Sequence, residues 1–184
     1  NSNSKNKARR WVWELLQNAK DVCIDKVKIK IDFNEKEGIL KFYHTGKPFD
    51  VQSITFLIEQ VSTKQRDSAK AETTGKFGTG FLTTHLLSEI VNVDSVIYDE
   101  CNNLRRFSIS LDRSGRSIEE IIASIEKSAK QLAMADNNEI IANYNSDEFN
   151  TCFTYRLNSS GIEVAKQGLE DLKICLPYVM IFLN

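Results

Sequence analysis

The first helix that the sequence predicts carries three polar side chains whose spacing could do chemistry. Glu14, Asn18 and Asp21 stand at i, i+4 and i+7, so on a helix they lie along one stripe. A carboxylate and an amide one helical turn apart could position a metal ion or a water molecule. An ordinary surface stripe is the alternative, and the stripe alone favours it. The apolar arc beside the stripe consists of Val12, Leu15, Leu16, Ala19, Val22 and Cys23.

A glycine-rich segment at 75–81 is the second feature, and it reads Gly-Lys-Phe-Gly-Thr-Gly-Phe. Its three glycines permit positive φ and let the backbone approach a ligand closely. Free N–H groups, together with the N-terminus of a helix predicted to begin here, would form a cradle for an anion. The segment is not a P-loop, because no Gly-Lys-Ser/Thr closes it. It is not a dinucleotide fingerprint either, because it follows a polar loop rather than a strand.

Two further short motifs complete an ordered set. Thr45-Gly46-x-Pro48-Phe49 and Ser62-Thr63-Lys64 stand between the helix stripe and the glycine segment. In this order the four motifs resemble the GHKL ATPases, the superfamily of gyrase-type topoisomerases, large heat-shock chaperones, sensor histidine kinases and MutL. The resemblance covers about 10–157, and it implies the two-layer Bergerat ATP-binding fold. The spellings Glu-Leu-Leu-Gln-Asn-Ala and Gly-Lys-Phe-Gly-Thr-Gly-Phe are similar to the sacsin-like and heat-shock-chaperone-like branch.

The resemblance implies a role for each motif residue. Glu14 would be the catalytic general base that activates the attacking water. Asn18 would give its amide oxygen to Mg²⁺, and Asp21 would support the site from the layer of residues around the metal ligands. The glycines would approach the adenine and wrap the phosphates, and Ser62 to Thr74 would form a lid, mobile when empty and ordered over nucleotide. The implied ATP-binding residues are Asn18, Asp21, His44, Gly46, Ser62, Thr63, Lys64, Gly75, Lys76, Phe77, Gly78, Thr79, Gly80, Phe81 and Thr151.

Some of these positions keep a structural alternative. Lys64 and Lys76 are candidate phosphate partners, or solvated lysines. Thr151 matches a threonine that contacts adenine through water, or is a plain strand residue. His44 stands where the family usually has an aspartate that accepts a hydrogen bond from the adenine amine. A neutral imidazole accepts such a bond in only one tautomer, and His44 could also be a strand-end histidine without a ligand.

The resemblance implies an ATP-binding and weakly ATP-hydrolysing module of a larger chaperone-like or defence-type protein, with ATP and Mg²⁺ as cofactors. Turnover is expected to be weak because family members complete the γ-phosphate site with a basic residue from a following domain. A nucleotide-binding regulatory domain with little turnover is the alternative. The implied partners are ATP or ADP, downstream domains of the same protein and a second copy in a nucleotide-dependent homodimer. A histidine kinase is disfavoured, because those enzymes usually have an asparagine at the position of Glu14.

Composition sets the broad class. The chain has 184 residues, 41% hydrophobic and 27% charged, with a net charge of −1, which is typical of one soluble domain. The balanced charge gives no indication of nucleic acid or membrane binding. Four widely spaced cysteines argue against a zinc site and favour reduced thiols in a cytoplasmic protein. The apolar run at 178–183 leads us to expect a fragment of a longer protein.

The element pattern predicts an α+β fold, with a mixed, mostly antiparallel sheet and helices on one face. We expect an ATP-binding domain over 1–160, followed at 161–184 by a closing helix and the start of a further segment. The predicted helices are 7–23, 50–60, 79–89, 117–135 and 162–176, and the predicted strands are 27–33, 39–43, 90–98, 104–111 and 151–157. Pro177 is expected to stop the last helix. Inward-facing positions are predicted to include Val51, Ile118 and Ile122.

Overall fold

The fold alternates hairpin strands with helices, as the hydrophobic periodicity predicts. The computed structural model describes residues 2–59 and 79–183, with side chains from 9–59 and 80–181. Its α-helices are α1 (Ser2–Asp21), α2 (Val51–Glu59), α3 (Ile118–Ala133) and α4 (Ser159–Leu183). Two 3-10 helices span Thr79–Leu86 and Met134–Asn137. The strands are β1 (Ile29–Asn34), β2 (Ile39–His44), β3 (Ile90–Tyr98), β4 (Leu104–Asp112) and β5 (Thr151–Arg156).

Within the described residues the strands form one sheet in the order β1-β2-β5-β3-β4, and every named pair is antiparallel. The α+β class with a largely antiparallel sheet is therefore confirmed. The one parallel contact is an isolated bridge between Phe49 and Ile97. Strand β5 lies between β2 and β3, so the last strand along the chain joins the two hairpins.

One face of the sheet is buried, and across β2, β5 and β3 the strand register arranges that face in three rows. Apolar side chains of β2, β3, β4 and β5 fill two of the rows, since alternate residues of a strand point to the same face. The third row contains His44, Thr151 and Ser95, all of which are at most 3% exposed. A polar row in an otherwise apolar face has a cost unless its groups find hydrogen-bond partners.

Helix α1 is held against α4 by an indole. The Trp11 side chain is fully buried, and its Nε1 donates a hydrogen bond to the carbonyl oxygen of Val164 at 3.1 Å. The ring lies over Gly168, where a Cβ atom would stand 2.3 Å from Nε1. The φ angle of Gly168 is not positive, so glycine is required here by the close approach of the indole and not by the backbone conformation. This contact fixes the position of α1, which carries the predicted catalytic residues.

Helix α3 protects the edge of the sheet. Gln131 Oε1 accepts a hydrogen bond from the Ser110 backbone N–H of β4, and Ser128 and Ser124 donate to the carbonyl oxygens of Ser110 and Asp112. These bonds satisfy groups that an edge strand would otherwise leave open to another chain.

Three inward-facing predictions are wrong. Val51, Ile118 and Ile122 are 53%, 62% and 50% exposed. The face of α3 that packs inward passes through Ile125 and Ser128 and leaves Ile122 outside it.

Helix α4 and the first 3-10 helix also differ from their predicted extents. Pro177 does not end α4, which continues to Leu183. Proline removes one helical hydrogen bond, but Val179 is only 3% exposed and packs into the core, and this burial favours continuing the helix. The helix predicted at 79–89 is a 3-10 helix that ends at Leu86. None of the helices in the described ranges is both long and apolar enough to cross a membrane.

Candidate functional site

The first 3-10 helix brings the last glycine of the glycine segment against the predicted catalytic carboxylate. A Cβ atom on Gly80 would stand 1.8 Å from Glu14 Oε2, so only glycine lets the two groups lie this close. The Glu14 side chain is 24% exposed, and its Oε1 lies 3.4 Å from an Arg10 guanidinium nitrogen. The structure therefore joins two motifs that are 66 residues apart in the sequence.

Asn18 and Asp21, the other members of the stripe, point to different environments. The Asn18 side chain is 6% exposed, and its Nδ2 is buried with no hydrogen-bond partner among the described residues. Asp21 is exposed, and its Oδ1 accepts a hydrogen bond from Gln17 at 2.7 Å. Asn18 therefore turns inward one helical turn after Glu14, while Asp21 lies outside the buried region.

The turn after β2 packs directly onto the end of α1. Gly46 has a φ of +138°, and a Cβ atom there would stand 2.7 Å from the carbonyl oxygen of Val22. The Lys47 N–H donates to that same oxygen at 2.9 Å, and the Tyr144 hydroxyl donates to the carbonyl oxygen of Gly46 at 2.5 Å. Both the left-handed backbone and the close approach require glycine at 46.

His44 is buried at the end of β2, at the start of this turn. Its ring is 2% exposed, and Nδ1 lies 2.9 Å from the carbonyl oxygen of Thr45. Nε2 is buried and has no hydrogen-bond partner among the described residues. Burial lowers the pKa of His44 to about 4, since a charged ring would lose its hydration. The imidazole is therefore neutral at pH 7.

Thr151 lies beside His44 in the strand register, and its hydroxyl pairs with a residue that the sequence analysis missed. Ser95 Oγ and Thr151 Oγ1 are 2.7 Å apart, and both side chains are buried. One signal in the sequence points to Ser95. Val91 and Val93 establish the buried face of β3, and Ser95 places a hydroxyl at the next position on that face.

Aromatic contacts connect His44 with the glycine segment. The ring of Phe153 stacks on His44 with centroids 6.0 Å apart, and Phe81 packs against Phe153 at 5.5 Å. Phe81, the residue after Gly80, is 1% exposed, so it anchors this part of the first 3-10 helix in the core. The two halves of the candidate site thus share one packed cluster.

A small cavity of about 10 Å³ borders His44, which is room for roughly one water molecule. Its lining includes Val22, Lys47, Phe49 and Ser53, so it lies between the end of α1 and the start of α2. A wider depression of about 430 Å³ lies at the opposite end of the sheet, and it includes Glu89, Asp112, Lys127 and Arg156. None of the predicted site residues lines that depression.

Part of the predicted site lies outside the described residues. Ser62, Thr63, Lys64, Gly75, Lys76, Phe77 and Gly78 belong to this part, as does the rest of the predicted lid to Thr74. Thr79 begins the first 3-10 helix, and its side chain is not described. In the described part of the chain, no group of three or more His, Cys, Asp or Glu side chains could hold a metal ion.

No protein-family model matches the chain, and no curated protein matches it either.

Proposed function

We propose that this chain is an ATP-binding and weakly ATP-hydrolysing module with the Bergerat-type arrangement of the GHKL ATPases. It would work within a larger chaperone-like or defence-type protein, through closure of a lid at 62–74. The proposal assigns nucleotide binding to the cleft between α1, the turn at 45–47 and the first 3-10 helix. ATP, ADP and Mg²⁺ are its ligands.

One observation carries the proposal. The Asn18 side chain is buried, and its Nδ2 has no hydrogen-bond partner in the part of the chain that the structure describes, one turn from a carboxylate that lies against Gly80. An unsatisfied buried amide costs about 1–3 kcal/mol, so an ordinary core would replace it with an apolar residue. The Nδ2 donor of Asn18 suits an anionic oxygen of a ligand, and the amide oxygen of the same side chain suits a metal ion.

These residues fit Mg²⁺ and a triphosphate as binding groups. Mg²⁺ binds proteins through few side chains, because it keeps waters and takes phosphate oxygens. This preference explains why one amide oxygen, that of Asn18, could suffice without an acidic cluster. Bound Mg·ATP would supply the phosphoanhydride bond whose cleavage drives the conformational change. Glu14 would hold a water molecule and accept its proton through Oε2, the carboxylate oxygen closest to Gly80.

A nucleotide-binding regulatory domain without meaningful turnover is the second candidate, and a specific contact favours it. Arg10 lies 3.4 Å from Glu14 Oε1, an ion pair that would compete with a water molecule for the carboxylate. Binding would be unaffected by this pair, but proton abstraction would be slower. Phosphate release by the purified chain separates the two candidates.

The test is calorimetry and phosphate release with Mg·ATP and a non-hydrolysable analogue. We expect Glu14→Ala to bind nucleotide like the unmodified chain and to lose turnover, because the base acts on the transition state. We expect Asn18→Ala to lose the Mg²⁺-dependent part of the affinity. Gln17→Ala, on the exposed side of the same helix, is the matched control and should change neither quantity. Absence of binding at millimolar nucleotide would overturn the proposal, and equal loss of affinity in the Glu14 and Asn18 variants would overturn the assigned roles.

A further inference from the structure

We infer that two copies of this chain associate through the edge of β1, so that their sheets join into one continuous antiparallel sheet. The two β1 strands pair around a two-fold axis that passes through Ile31. None of the contacts involves nucleotide. The association is therefore separate from the nucleotide-dependent homodimer that the family resemblance implies, and it does not rest on the proposed function.

The two edges of the described sheet differ in what covers them. At β4, side chains of α3 bind the outward backbone groups of Ser110 and Asp112. At β1, no hydrogen bond from the described part of the chain reaches the backbone groups that point away from β2. An open strand edge is a template for pairing with another strand.

The ladder between β1 and β2 identifies the open groups. The Thr45 N–H donates to the Lys28 carbonyl oxygen at 3.1 Å, and alternate pairs along an antiparallel ladder are hydrogen-bonded. Residues 30, 32 and 34 therefore bond to β2. The residues whose N–H and C=O groups point outward are Ile29, Ile31 and Phe33. Their side chains are partly buried against the core, so this edge is apolar on the face that the helices cover.

The strand is complementary to itself when it is turned around Ile31. Ile31 then lies opposite Ile31 of the partner subunit, and Ile29 lies opposite Phe33 of the partner subunit. Each of these pairs can exchange two backbone hydrogen bonds, because the outward groups of both residues are open. Their apolar side chains meet on the same face, since a two-fold axis perpendicular to the sheet keeps the faces together.

Lys30 and Asp32 select a second copy as the partner and fix the register. Their side chains are 54% and 48% exposed, and within one chain Lys30 Nζ lies 2.8 Å from Asp32 Oδ2. With the axis at Ile31, each Lys30 lies opposite Asp32 of the partner subunit. A slide of two residues in either direction would place Lys30 opposite Lys30 of the partner subunit, or Asp32 opposite Asp32 of the partner subunit. Repulsion of like charges disfavours both of these registers.

Sedimentation of the nucleotide-free chain, from about 1 to about 200 μM, tests the inference. We expect the mass to rise from 21.0 kDa toward twice that value. Asp32→Lys and Lys30→Asp should each weaken self-association about tenfold, because two attractive pairs become two repulsive ones. A mixture of the two variants should associate like the unmodified chain, since unlike charges then face each other again.

Asp94→Lys on β3 is the matched control. Asp94 is exposed and lies in the same row of the sheet as Lys30, with β2 and β5 between them. The control makes the same change of charge as Asp32→Lys and should leave self-association unchanged. A chain that stays monomeric at about 200 μM, or a mixture of variants that associates no better than each variant alone, would overturn the inference.

Hydrogen exchange resolved by residue tests the same interface without a variant. We expect the amides of Ile29, Ile31 and Phe33 to exchange more slowly at about 500 μM than at about 20 μM. The amides of Lys30 and Asp32 bond to β2 within one chain and should not change. Protection that does not alternate along β1, or a dimer that forms only with Mg·ATP, would overturn the inference. A dimer without any nucleotide binding would defeat the proposed function alone.

Discussion

At the scale of single residues, the site depends on groups that almost touch. Gly80 leaves space for the Glu14 carboxylate, and Gly46 leaves space for the end of α1. The two contacts differ in rigidity. Gly80 faces the far end of a side chain, whereas Gly46 faces the Val22 backbone and has a positive φ. A methyl group at Gly80 would therefore move the carboxylate rather than the fold.

Gly80→Ala should consequently separate catalysis from stability. We expect the free energy of unfolding to change by less than about 1 kcal/mol, because the Glu14 side chain can rotate away. Phosphate release should fall to the level of Glu14→Ala, since the displaced carboxylate no longer holds the attacking water. Urea unfolding and a phosphate-release assay measure the two quantities. Turnover like that of the unmodified chain would show that the position of Glu14 against Gly80 is unimportant for hydrolysis.

A pH dependence of stability also belongs to single residues. The pKa of His44 is lowered from 6.5 to about 4 in the folded protein because its ring is buried. Between these pH values the unfolded chain binds more protons, so the free energy of unfolding rises with pH. The contribution of His44 is complete above pH 6.5 and is lost as the pH falls to about 4, by up to about 3 kcal/mol. His85, with a pKa lowered to about 3 by burial and Arg113, acts in the same direction.

Urea unfolding at about pH 7 and about pH 4.5 measures this dependence. His44→Leu removes one titrating group, so its stability should fall less over the same interval. A variant that loses as much stability on acidification as the unmodified chain would contradict the role of His44.

At the scale of elements, the contact between α1 and α4 positions the site. Helix α1 supplies both Glu14 and Asn18, and Trp11 on the same helix packs over Gly168 and binds the Val164 carbonyl oxygen. An ion pair between Arg9 and Asp171 at 3.4 Å also joins the two helices, but surface ion pairs contribute little to stability.

Gly168→Ala should therefore destabilise the protein by about 1–3 kcal/mol, because its Cβ atom would overlap the indole. Trp11→Phe should cost about 1–2 kcal/mol for the lost hydrogen bond and contacts. The double variant should cost less than the sum, since the smaller ring leaves room for the methyl group. Urea unfolding of the four proteins gives the coupling. Lys173→Ala, exposed on α4, is the control, and strict additivity of the two substitutions would argue against direct packing.

At the scale of the whole molecule, the cavity beside His44 is too small for the base of the proposed nucleotide ligand. The cavity beside His44 holds about one water molecule, so binding of a base requires the start of α2 to separate from the end of α1. Backbone hydrogen bonds cross this boundary, among them that from Lys47 N–H to the Val22 carbonyl oxygen. Nucleotide binding should therefore be visible in the exchange of these amides.

Hydrogen exchange with and without a saturating Mg·ATP analogue tests this expectation. We expect altered exchange at 45–59, where the cleft must widen. Slower exchange at 62–74 is expected as well, because the sequence predicts a nucleotide-responsive lid there. The turn at 35–38, at the far end of the sheet, is the internal control. Exchange that is unchanged in both segments would leave the nucleotide with no conformational effect.

The sequence by itself predicts the class of fold and the candidate residues of the site. Alternation in the strands and the 3.6-residue period in α1 are local consequences of backbone geometry, so they can be read without knowing any neighbour. The order of the motifs likewise places Glu14, Asn18, Gly80, His44 and Thr151 among the candidates, and the structure brings Gly80 against Glu14 and Thr151 beside His44.

Only the tertiary structure decides which of these groups are buried and which hydrogen-bond partners they have. Asn18 and Asp21 have the same local spacing, yet one is 6% exposed and the other is on the surface, because the covering elements come from distant segments. The pairing of Ser95 with Thr151 arises because β5 inserts beside β3. Burial and hydrogen-bond partners depend on contacts across the chain, and these contacts decide which members of the candidate list lie in the core and which lie on the surface.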